Sequence, residues 1–99
     1  MLRNPDLSWQ ALASFSRSMS RLIEAGVDIR KALQTAGKQS SDARTAPAIE
    51  KIRQGVSGGR TLTEAICDHG ELFPSLFQDL VNVGEQTGHL PEVFGALGK

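Results

Sequence analysis

Few residues of this chain stand where chemistry would need them. Asp79 and Glu85 share one apolar-periodic stretch but lie six positions apart. Side chains meet on a helix at steps of three or four, so this stretch alone builds no general acid and base pair. His69 and His89 each neighbour a glycine at the end of a helical stripe; they read as exposed helix-end side chains without the ligand set a metal takes. Cys67 is the single cysteine, which excludes an internal disulfide and a thiolate zinc site and fits a reducing compartment. No serine reads as the nucleophile of a strained strand-to-helix elbow, and the glycines from Gly55 to Gly59 lack the Lys and Ser or Thr that complete a phosphate loop. One cation site stays open as a reading, Glu85 with a carboxylate of another subunit, because hard cations collect oxygen ligands from separate segments. Otherwise the residues give no catalytic centre, no metal site and no cofactor.

The formal net charge is zero, with 11 Lys and Arg against 11 Asp and Glu. Without a cationic surplus there is no counterion release to drive general nucleic-acid binding. The balance conceals a split. Residues 1–60 hold ten basic and five acidic side chains, a net of +5, and residues 61–99 hold one basic and six acidic, a net of −5. Either the halves attract each other within one fold, or the chain presents two oppositely charged docking faces. Arg30 and Lys31 represent the basic face.

The elements that would position these residues are helical, and 99 residues suffice for one domain. Trp9, Leu12, Phe15, Met19, Leu22 and Ile23 recur at helical spacing, predicting a helix over 8–25 with Asp6 or Ser8 as cap and Gly26 as stop. Asp28 starts a second helix, with Ile29, Ala32, Leu33 and Ala36 inward, closed near Gly37. Pro47 predicts an irregular first turn for a third, which buries Ile49, Ile52 and Val56 and stops at Gly58-Gly59. Thr61 and Glu64 have the spacing of a capping box and open a fourth helix, burying Leu62, Ala65, Ile66 and Cys67 and ending at Gly70. Pro74 suits the first position of a fifth helix, whose stripe is Leu76, Phe77, Leu80, Val81 and Val83 and whose stop is Gly88; Pro91 opens a sixth holding Val93, Phe94 and Leu97. No alternating run competes. The fold class expected is therefore all-α, a compact bundle of six short helices with a mainly aliphatic core. No run approaches the roughly 18 apolar residues of a membrane span, and no leader pattern begins the chain. As it stands the chain reads as soluble, and its two-turn last helix suggests a cut within a longer one.

Several ordered segments together resemble one family. Gly84-Glu85-Gln86-Thr87-Gly88-His89-Leu90 resembles the Gly-Glu-x-x-Gly-x-Leu signature of the type II secretion system F domain. Phe73-Pro74 precedes it at that family's distance, and Gly59-Arg60-Thr61-Leu62-Thr63-Glu64-Ala65 is similar to its Gly-x-Ser-Leu-Ser-x-Ala segment with Thr for Ser. Phe15-Ser16-Arg17, Leu22-Ile23-Glu24-Ala25-Gly26-Val27 and Ala32-Leu33 resemble its opening pattern. Departures are Pro47 inside the third helix and Pro91 after the signature Leu. The resemblance implies a six-helix, non-enzymatic scaffold, one cytoplasmic domain of a polytopic inner-membrane platform protein in type II secretion or type IV pilus assembly. It would lie on the cytoplasmic face of the bacterial inner membrane and couple an assembly ATPase to pilin or pseudopilin addition. Partners expected on it are that ATPase, other inner-membrane secretion components and a second copy as homodimer. Nucleic acid is not among them, and the membrane is reached through segments absent from this chain.

Within the signature, Gly84 is expected to admit another helix, Gly88 to take a positive φ, and Leu90 to pack the turn closed. Glu85 stands near a helix C-terminus, where its charge opposes the macrodipole, so it is expected to accept N–H groups or to pair with Arg17 or Arg21. A freestanding helical regulator, DNA-binding through the basic first half, is the alternative reading. A metal-dependent enzyme resting on the scattered carboxylates is a third.

Overall fold

Short polar side chains start three of the helices. Ser8 Oγ accepts the N–H of Ala11 at 3.0 Å to open α1, Trp9–Glu24. Asp28 accepts the N–H of Arg30 at 2.8 Å to open α2, Ile29–Lys38. Thr61 opens α4, Leu62–Cys67, through a complete capping box. Between the last two, α3 spans Thr45–Ser57. After a single 3-10 turn at Gly70–Leu72, α5 covers Ser75–Thr87 and α6 Leu90–Leu97. The computed structural model describes residues 7–40 and 42–99; the cap expected of Asp6 lies outside them. Among the described residues there is no strand, and the all-α expectation of six short helices holds.

Each helix packs against the next in sequence, and α6 returns to α1, so the six form a closed ring around one core. The radius of gyration is 12.3 Å, close to the roughly 13 Å of a 100-residue globule. Aliphatic side chains such as Leu12, Leu33, Ile49, Ile52 and Ile66 supply most of the interior. The phenylalanines connect it. Phe94 meets Phe15 edge-on at 6.0 Å and Phe77 at 6.5 Å, and Phe77 stacks on Phe73 at 5.4 Å. This run ties α1, α6 and α5 together with the geometry aromatic quadrupoles favour.

Several expectations are corrected. Trp9 belongs to the first turn of α1 but is 55% exposed, and Leu76 and Val83 are 59% and 53% exposed. The latter two stand seven apart on one outward side of α5, while Phe77 and Val81 point inward. Cys67 is exposed too, its thiol donating to Gln78 Oε1 at 3.3 Å. α2 closes at Lys38, beside Gly37 as expected, but Gly37 itself is buried inside the helix, where a Cβ would stand 3.2 Å from Ile49. Pro47 stands third in α3, within its first turn, a place where the missing N–H has no intrahelical partner to lose. Pro74 is the residue before α5, not its first, and Pro91 is second in α6. Gly70 does not end α4; the helix closes at Cys67 and Gly70 begins the 3-10 turn. Gly26 and Gly88 do take the left-handed conformation, with φ of 86° and 76°.

The start of α2 has a pH dependence with a definite sign. The side chain of Arg30, then its backbone N–H, holds the Asp28 carboxyl at about 2 instead of 3.8. A depressed folded-state value gives a contribution that is full above the unfolded value and is lost as pH falls towards the folded one. Thermal melts between about pH 5 and pH 2 should lose this small, solvent-screened contribution below about pH 4. Asp28→Asn, which keeps an acceptor but cannot ionise, should flatten that part of the curve.

Candidate functional site

The signature segment lies at the junction of α4, α5 and α6, and it builds that junction. Gly84, in α5, is buried. A Cβ there would stand 2.9 Å from Val93 Cγ2 and 3.2 Å from Leu90 Cδ2, so the missing side chain is what lets α6 lie against α5. Gly88 leaves the helix at positive φ, and the N–H groups of Gly88 and His89 both donate to the Gly84 carbonyl, the latter at 2.8 Å. That six-to-one bond is the Schellman closure of a helix end. Leu90 then packs against the core from the first position of α6.

Glu85 reaches out of this hairpin to another helix. Its Oε2 accepts the N–H of Leu62 at 2.9 Å, and its Oε1 accepts the N–H of Thr63 at 2.9 Å and the Thr63 hydroxyl at 2.6 Å. The neighbouring donors are taken within the capping box: Glu64 N–H bonds Thr61 Oγ1 at 3.0 Å, and Thr61 N–H bonds Glu64 Oε1 at 2.9 Å. The free N–H groups of the first turn of α4 are all satisfied, two of them by a carboxylate from α5. A charge poorly placed for its own helix is well placed for this one, because the N-terminus of α4 carries the positive end of a dipole. Neither Arg17 nor Arg21 is its partner; Arg17 Nη1 donates to the carbonyl of Gly98 at 2.5 Å. Both Glu85 oxygens are engaged inside the chain. Among the described residues no group of three or more His, Cys, Asp and Glu side chains could hold a metal ion.

Phe73-Pro74 belongs to the same region. Phe73 is buried against Phe77, and its carbonyl accepts Gln78 Nε2 at 2.8 Å. Gln78 also donates to the Gly70 carbonyl at 3.3 Å, so one amide braces the 3-10 turn onto α5. Arg30 and Lys31 are not part of this junction. They project from the first turn of α2, which packs on α1 and α3. Arg30 is held by Asp28 at 3.0 Å, leaving Lys31 as the less encumbered cation, 3.5 Å from Gln34 Oε1.

Thr63 and Gln78 carry no sequence signal of their own. Thr63 could have been found only through its place inside the capping segment. His89 lies 3.4 Å from Glu92, a pairing three residues on. Ser57 spells Gly-x-Ser-x-Gly with Gly55 and Gly59, but it is the exposed last residue of α3 and follows no strand. Of the ion pairs among the described residues, those of Arg60 with Asp68 and Glu64 cross from the basic to the acidic half. The remainder are local. Most of the charge split therefore stays on the surface.

A ring of short helices whose distinctive residues hold helix ends together defines a small all-helical domain. The chain belongs to the family of the type II secretion system (T2SS), protein F, whose model matches residues 15–99. It is 37% identical over 78 residues to the type 4 fimbrial assembly protein PilC of Pseudomonas putida, covering 79% of this chain and 20% of that one. It is 30% identical over 91 residues to the type II secretion system protein F of Vibrio cholerae, covering 92% and 22%. To the type IV pilus assembly protein PilC of Thermus thermophilus it is 30% identical over 95 residues, covering 96% and 23%. The chain spans about a fifth of the length of these relatives. No helix among the described residues is long and apolar enough to cross a membrane.

Two substitutions test the junction by urea denaturation. Gly84→Ala gains helix propensity but forces Val93, a stiff β-branched side chain, away from α5. The expected net loss is about 1–2 kcal/mol. Glu85→Gln keeps the shape but turns an amide donor towards backbone donors, with an expected loss of about 1.5–3 kcal/mol.

Proposed function

We propose that the chain is one cytoplasmic module of an inner-membrane platform protein in type II secretion or type IV pilus assembly. The family match over residues 15–99 carries this reading. Its relatives are named for these two machineries, and each is several times longer than this chain. In the proposed role the module is a non-enzymatic scaffold that docks a cytoplasmic assembly ATPase and other inner-membrane components, and passes motion to the addition of pilin or pseudopilin subunits. The fold supports such use, since the signature residues make the junction rigid and leave both charged surfaces outside it. The candidate contact is the basic face at Arg30 and Lys31. Lys31 supplies its less encumbered charge, and Arg30 brings an ion pair that a partner's carboxylate could exchange.

Capture of the cognate assembly ATPase by the immobilised chain tests this. The wild type is expected to retain it and Lys31→Glu to lose most of the signal at low salt. The double change Arg30→Glu and Lys31→Glu should abolish it while leaving the far-UV circular dichroism spectrum intact. Equal capture by all three would move the contact off α2, and no capture by the wild type would remove the coupling role.

A further inference from the structure

The chain has one tryptophan, and it is on the surface. Trp9, 55% exposed, lines an open groove of about 550 Å³ with Gln10, Ala13, Arg17 and Lys99. The groove's lining holds two cations, an indole and no carboxylate side chain. It also marks where the two ends of the fold meet. α1 and α6 pack antiparallel, with Arg17 Nη1 bonded to the Gly98 carbonyl and Ser20 Oγ bonded to the Pro91 carbonyl at 2.8 Å. The carboxylates of these two helices, Glu24 and Glu92, belong to the opposite end of the pair.

We infer that this edge is a membrane-facing surface, seated on the headgroup layer of an anionic bilayer. Indole settles at the level of the headgroups, where its apolar body and polar N–H are both served. Arg and Lys beside it are attracted to anionic lipid, each by about fivefold in partition near the surface. Burying a side of α1 that carries Trp9, Ala13 and Arg17 requires no rearrangement of the core. The inference rests on the proposed platform role, in which the module works beside the bilayer. It adds an orientation: the α1–α6 edge faces the lipid, and the start of α2 and the α4–α5 side are left for protein partners.

The lone tryptophan is its own reporter. The 99-residue chain, with and without a neutral Gly-Ser extension that moves the terminal carboxylate away, is titrated with phosphatidylglycerol–phosphatidylcholine vesicles and with phosphatidylcholine vesicles. A blue shift of Trp9 emission and its quenching by brominated lipid are expected with the first, reversed by salt, and no change with the second. In co-sedimentation, Lys99→Gln should weaken partition about fivefold and Trp9→Ala should weaken it further. Lys51→Glu, an exposed cation on α3, should weaken it far less than Lys99→Gln. No blue shift with anionic vesicles at low salt, or an equal loss from Lys51→Glu and Lys99→Gln, overturns the inference. ATPase capture is read separately, so vesicle binding can fail while the platform role stands, and the reverse.

Discussion

A six-residue helix is too short to persist by its own hydrogen bonds, and in this fold it sits in the middle of a ring. α4 has one turn and a half, far below the length at which isolated helices hold together in water. What makes it a dependable element is that its first turn has no unmet donor. Thr61 and Glu64 take two N–H groups and the Glu85 carboxylate takes the next two. Because α4 links α3 to α5, the closure of the whole ring passes through that carboxylate. The Thr-Leu-Thr segment and the Gly-Glu-x-x-Gly segment, distinct as sequence motifs, are one structural device.

Much of the fold is legible because the relevant signals are local. Ser8, Asp28 and the Thr61–Glu64 pair begin helices for reasons contained within four residues, and Gly26 and Gly88 end or redirect the chain because only a residue without Cβ takes their φ cheaply. Illegible were the choices settled by neighbours far along the chain. Gly37 looks like a stop but is a point of close approach to Ile49 on the next helix. The apolar residues Leu76, Phe77, Leu80, Val81 and Val83 spread over more than one side of α5, so periodicity leaves its inward side undecided, and packing against α4 and α6 decides it. The partner of Glu85 lies 22 or 23 residues earlier, so spacing on its own helix pointed towards arginines that are engaged elsewhere or absent from its contacts.

The signature of the family is thus spent on architecture. Its glycines set an approach distance and a turn, its glutamate caps the start of another helix, and its leucine fills the turn. Each of these groups is engaged within the fold, and the charge split persists on the outer surfaces with few pairs across it. In a domain built this way the outer surface is free to differ without touching what makes it fold.

The ring closure also has a mechanical side. Its ends come together where α6 lies on α1, so tension drawn between Leu7 and Lys99 loads that seam as a zipper, not in shear, together with the bond from the Leu7 N–H to the Leu72 carbonyl. Along the seam the Arg17–Gly98 bond is the first tooth and the packing of Phe94 on Phe15 a later one.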